Sequence, residues 1–250
     1  MVALAAAVIG LSTMATKCTY TGNPDYDPTG TVIYTDYFKV QLRQNDGYAI
    51  VLSLTDLGKQ QQILAIPDHI NGLPVQQIGW KVGNVHAEIG SPILEKVYVP
   101  YTINAIASGA LASQTSQETI WMSNVYPLGG GQGDGGQYDL GGATWQGEVY
   151  MTKEFYSKFF NIDESDIDSL YLPNLYYYYN YEDAPNLNYF WFDHITSDNL
   201  HIDPADPERE GYAFTGWYTD PDCSELWDQV LPDGNSDLEL FAGWQKITNQ

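Results

Sequence analysis

Apolar and polar residues alternate with a period of two in a series of short runs, most of them closed by proline or glycine. Val32, Tyr34, Phe38, Val40 and Leu42 alternate with polar neighbours, Asn45-Asp46-Gly47 is a turn signal, and Tyr48 to Leu54 is a second apolar run. This pattern predicts a β-hairpin. Leu64-Ala65-Ile66-Pro67 followed by Ile70 then matches Val97-Tyr98-Val99-Pro100 followed by Ile103. Each copy continues to a second apolar anchor, Ile78-Gly79 in one and Ile106 in the other. Ile120-Trp121-Met122 is a shorter third copy, and Val149-Tyr150-Met151 and Leu170-Tyr171-Leu172-Pro173 are further candidates. Each run predicts a short strand with one buried face, and in three of them Pro67, Pro100 or Pro173, which cannot donate to a ladder, ends it. Lys153 to Phe160 predicts a short helix. Units this small cannot bury their apolar side alone, so stacking them into a solenoid is the expected solution. The hairpin then serves as the N-terminal cap.

The repeated residues resemble the BspA-like leucine-rich repeat family. The resemblance rests on Ile66-Pro67, Asn71-Gly72-Leu73-Pro74-Val75, Ile78-Gly79, Val99-Pro100, Ile106 and Ala110-Leu111. It implies a leucine-rich solenoid, expected over residues 31–184 with its cap.

From about residue 186 the pattern changes. Pro207, Arg209-Glu210-Gly211-Tyr212, Phe214, Gly216-Trp217-Tyr218, Trp227-Asp228 and Leu240-Phe241-Ala242-Gly243-Trp244 follow in order. This stretch resembles the Listeria–Bacteroides repeat, the internalin-type B-repeat. The resemblance implies a small β-grasp-like module of bacterial surface proteins, expected over 186–247. Its aromatic residues suit the core of a small domain, which needs large side chains. Just before it, the run Tyr176 to Tyr181 reads either as a strand with one packed face or as a surface that stacks on sugars. The expected fold class is thus mainly β: a short capped solenoid followed by a small β module.

Composition adds location. Residues 2–14 form an apolar run too short to span a bilayer, placed like the core of a signal peptide. Residues 1–18 are expected to be a signal or lipoprotein-like segment, with Cys18 a candidate for lipidation, and polar residues 19–30 a tether. The formal net charge is −22, with 32 acidic and 10 basic residues. Phosphate backbones and anionic lipid require the opposite sign, so nucleic acid is excluded as a partner and membrane contact is left to a lipid anchor at Cys18. Many tyrosines and few lysines suit an exported β-rich protein.

Catalytic signals are missing. The four histidines have no ligand-like spacing with one another or with cysteine, and no serine sits in a nucleophile elbow. Gly131, Gly133 and Gly136 satisfy GxGxxG, but more glycine and aspartate follow in place of an amphipathic helix, so a surface excursion is expected instead. The acidic stretch 163–168 reads as a solvated helix N-terminus or loop, or as a calcium site, for which it lacks the spacing of an EF-hand. Cys18 and Cys223 can bridge only if the tether folds back, and Arg209 is expected to meet a neighbouring carboxylate. No metal, cofactor or enzymatic activity is expected. Aligning the repeats by their inward pairs puts Tyr98, Trp121, Tyr150 and Tyr171 in file on the opposite sheet face. That file reads as a stabilising ladder or as a ligand-binding stripe for a protein or glycan. The expected function is binding or adhesion at the bacterial cell surface or outside the cell. A glycan-binding accessory protein and a structural spacer are the alternatives.

Overall fold

The computed structural model describes residues 30–82, 85–87, 89–106, 118–123, 148–169, 172–197, 199–232, 234 and 236–248. The protein is mainly β, and the chain divides into two compact units between Val149 and Tyr150.

The first unit opens with an antiparallel meander, β1 (Thr31–Tyr34), β2 (Phe38–Arg43) and β3 (Tyr48–Leu54). Gly47 takes a φ of 78° in the β2–β3 turn, and Arg43 pairs with Asp46 at 2.7 Å across it. The expected hairpin is therefore present. Next come β4 (Ile63–Ala65), β5 (His69–Ile70) and β6 (Leu73–Ile78). Asn71 and Gly72 join β5 to β6 with φ of 52° and 76°, the left-handed pair that a two-residue hairpin turn of this type requires. β7 (Trp80–Val82) and β8 (Val85–Ala87) form a separate ribbon. β9 (Lys96–Val99), β10 (Ala105–Ile106), β11 (Glu118–Trp121) and β12 (Glu148–Tyr150) complete the set.

These strands build two sheets in which successive copies of the repeat lie side by side. One runs β4, β9, β11, β12, and its β4–β9 and β9–β11 pairs are parallel. The other runs β1, β2, β3, β6, β10, with β3, β6 and β10 parallel. Leu64 pairs with Val97 and Ile78 with Ile106, the alignment the first two copies imply. The third copy is one residue out of its expected register. Thr119, Ile120 and Trp121 pair with Val97, Tyr98 and Val99, so Ile120 does not continue the Leu64–Val97 row. Lys96 supplies a reason. It is 1% exposed, and Glu118 sits opposite it with its carboxylate 3.1 Å from the ammonium. The expected register would place Thr119 opposite Lys96 and leave a buried cation facing a hydroxyl, which is strongly unfavourable.

The second unit begins with α1 (Lys153–Phe160), over the residues expected to be helical. Thr152 caps it by accepting from the Phe155 N–H, and Asn161 ends it at a φ of 52°. Four strands follow, β13 (Leu175–Tyr178), β14 (Tyr189–Asp193), β15 (Tyr212–Tyr218) and β16 (Leu238–Lys246). Their order is β14, β13, β16, β15, with the central β13–β16 pair parallel and both outer pairs antiparallel. The boundary expected at 184–186 therefore falls inside this sheet. β13, assigned by its tyrosine run to the end of the solenoid, is a central strand of the C-terminal sheet. Leu175, Tyr177, Ile195 and Leu240 form the core on one face, with Phe190, Trp191, Trp217, Trp227, Leu231 and Leu238 packed around them.

Candidate functional site

The expected aromatic stripe does not stand on the surface. Tyr98, Trp121 and Tyr150 are 1%, 1% and 4% exposed. The one-residue offset of β11 also puts Tyr98 in line with Ile120 and Trp121 in line with Val99, so the two rings lie on opposite faces. All four residues of β9 are buried, as is usual when a parallel sheet is covered on both sides. These rings belong to the interior and are not a binding surface. Tyr171 and Cys18 lie outside the described residues, as does the glycine-rich stretch of 128–142. In the acidic stretch, the Asp163 carboxylate accepts from the N–H and hydroxyl of Ser165, and these bonds hold its pKa below the ordinary value. Among the described residues no group of three or more potential ligands is placed to hold a metal.

A file of aromatic rings does cross one sheet, and it is the C-terminal one. Tyr189, Tyr178, Phe241 and Tyr218 are partners in register across β14, β13, β16 and β15. Tyr178 and Phe241 stack with centroids 5.1 Å apart, and Tyr178 and Tyr189 lie at 5.2 Å. Tyr189 is buried at the α1 end, while Tyr178, Phe241 and Tyr218 are half-buried. Carboxylates hold two of the hydroxyls. Tyr189 donates to both Glu154 oxygens at 3.0 Å, and Tyr178 donates to Glu239 at 3.1 Å. Burial first, and then the nearby carboxylates and neighbouring phenols, raise the pKa values of Tyr176, Tyr178 and Tyr189 well above the usual phenol value.

The file ends at a cleft of about 440 Å³. Gly243 is one of its lining residues, and a side chain there would collide with the Tyr218 ring and the Thr215 hydroxyl, which occupy the space over it. Close approach of this kind is a usual reason for glycine inside a strand. Arg209 lines the same cleft. Among the described residues it meets no carboxylate; its guanidinium lies against Tyr212 and Tyr181, 3.8 and 4.3 Å from their ring centres. Such cation–π contacts hold the charge without a counterion. Asp222 and Cys223 sit on the loop after β15, which Asp220 shapes by accepting from the N–H groups of Ser224 and Glu225 and from the Ser224 hydroxyl. Those bonds hold the Asp220 pKa below its usual value. Cys223 has a free thiol, 3.4 Å from the Asn180 amide, and partial burial raises its pKa. The glycine within Ala242-Gly243-Trp244, in a strand otherwise rich in large side chains, was the available sequence signal for this cleft.

Residues 183–243 match the Listeria-Bacteroides repeat domain family. That stretch contains β14 and β15, most of β16 and the Asp220 loop, but not β13. Two proteins of Evansella cellulosilytica are each 40% identical to this chain over 43 residues, 17% of its length. One is provisionally named a Gly-rich membrane protein and the other a membrane protein. The matched segment spans 5% and 6% of those relatives. No solved structure matches the chain. The repeat is one of surface proteins, which fits a cell-surface role.

Proposed function

We propose that this chain is an exported bacterial surface protein that works by binding, and not by catalysis. The observation that carries the reading is the Listeria-Bacteroides repeat at 183–243, joined in the same chain to a stack of repeated strands. We read that stack as a leucine-rich solenoid of the BspA-like kind, capped by β1–β3. The side-by-side rows Leu64–Val97 and Ile78–Ile106 support this, because solenoid turns repeat in register. The C-terminal sheet, with its central parallel pair, supports a β-grasp-like module. The mature chain starts at or near Cys18, and a lipid on that cysteine would anchor it. Its partner is a protein or a glycan at the cell surface. Fractionation of the native organism followed by mass spectrometry tests the location. A mature chain starting near Cys18 in the envelope or medium is expected; an uncleaved cytoplasmic chain would refute export.

A second reading, a glycan-binding accessory protein, is favoured by the half-buried ring file and the cleft at its end. Both lie on the C-terminal sheet, so a binding role no longer depends on the solenoid face.

A further inference from the structure

We propose that the cleft lined by Tyr218, Thr215, Arg209 and Asp222 is a carbohydrate subsite that takes a neutral or amino sugar residue. The proposal deepens the binding role above by naming a ligand class, and it rests on that reading only for its biological setting.

A sugar ring offers a patch of C–H groups together with hydroxyls that both donate and accept. A site for it needs an aromatic surface and polar groups of both kinds. Tyr218 provides the surface. With no side chain at 243 its ring settles onto β16, half-buried, and it lines the cleft. Phe241 and Tyr178 continue the aromatic surface across the next two strands. Two inter-strand steps give it a reach of about 10 Å beyond Tyr218.

The polar groups converge on the same space. Asp222 lines the cleft as an exposed carboxylate that, among the described residues, has no protein donor, so it is available to accept from hydroxyls. Thr215 adds a hydroxyl. Arg209 is fixed against two rings, and among the described residues none of its N–H groups meets a protein acceptor. Its donors are held in place and unspent. A volume of about 440 Å³ falls within the range of small-molecule sites.

Charge narrows the ligand. The chain carries −22, and Asp222 lines the cleft together with Arg209, whose charge is already spread over two rings, so uronic, sulfated or phosphorylated glycans are repelled. A protein strand is a poorer fit. The outer edge of β15 is bridged at both ends, Tyr212 to Arg209 and Tyr218 to Leu226, which closes it to strand addition.

The test uses the purified full chain and three probes: chitotetraose, its de-acetylated tetramer, and a heparin tetrasaccharide, measured by calorimetric titration. Binding of either of the first two that survives high salt is expected, with none of the third. Tyr218→Leu and Asp222→Asn should each weaken it by about tenfold or more, with melting temperature unchanged. Gly243→Ala should weaken it too, by displacing the ring. Tyr34→Ser, an exposed ring in the other unit, should leave it intact. Absence of binding to both uncharged and amino probes, equal binding by folded Tyr218→Leu, or preference for heparin would each overturn the proposal. Because export is read by fractionation, loss of the sugar site and loss of the surface role are separate results.

Discussion

Two residue-scale features set how this protein should respond to chemistry. The first is Lys96, buried against Glu118 in the β9–β11 pair. Replacing Glu118 by Gln removes the negative charge that lies 3.1 Å from the ammonium. Fully buried pairs cost about 3–5 kcal/mol when broken this way. The Glu118 side chain is 24% exposed, so a loss of about 2–3 kcal/mol is expected. Denaturant unfolding measures it, and an unchanged midpoint would show that Lys96 does not depend on Glu118. The second feature is the tyrosine group of the C-terminal sheet. Burial raises the pKa values of Tyr176, Tyr177, Tyr178 and Tyr189 above the ordinary 10.0. A raised phenol pKa means that the folded state prefers the proton. The corresponding stability is fully present below pH 10 and is lost as the pH climbs from there toward the folded values. Ultraviolet titration should therefore show these four ionising only with unfolding. Asp220 has the opposite sign. Its lowered pKa holds the loop together at neutral pH, and that contribution fades as the pH falls below the ordinary 3.8.

At the scale of elements, the decisive strand is β13. β14 and β16 do not pair with each other; both pair with β13. A fragment beginning at 183, where the repeat match begins, lacks the strand that joins the two halves of its sheet. It should stay unfolded, whereas a fragment of 172–248 should melt cooperatively. Circular dichroism of the two pieces decides this, and a folded 183–248 fragment would mean that β14 and β16 can close on each other. Within the longer piece, Tyr177 is 1% exposed and meets Trp217 and Trp227 edge-on at 4.8 and 6.3 Å. Tyr177→Ala should cost about 3–5 kcal/mol, enough to unfold a small domain of ordinary stability. The short helix was legible to the residue, because Thr152 is a local start signal and Asn161 a local stop signal. The register of β11 was not. Apolar alternation alone fits Ile120-Trp121-Met122 in either of two frames, and the choice between them depends on an ion pair whose members lie 22 positions apart (Lys96 and Glu118).

At the scale of the whole molecule, the dominant fact is a charge of −22 on 250 residues. Self-repulsion of this size disfavours the compact state and is screened by salt. The melting temperature should rise as ionic strength is raised from low values, as a thermal scan will show; a flat response would mean that the acids are neutralised locally. The sequence by itself determined the β character, the hairpin and its turn, the paired rows Leu64–Val97 and Ile78–Ile106, the repeat module and the sign of the surface charge. Those features are written in local alternation, turn residues and composition, which need no knowledge of distant partners. Only the tertiary structure decided that Tyr98, Trp121 and Tyr150 are interior, that β13 joins the C-terminal sheet, and that the ring file runs through Tyr178, Phe241 and Tyr218. The physical reason is the same in each case. A period of two says that a residue has neighbours on one side or the other, but which side is covered depends on strands far away in the chain, and a slip of one residue exchanges the two faces.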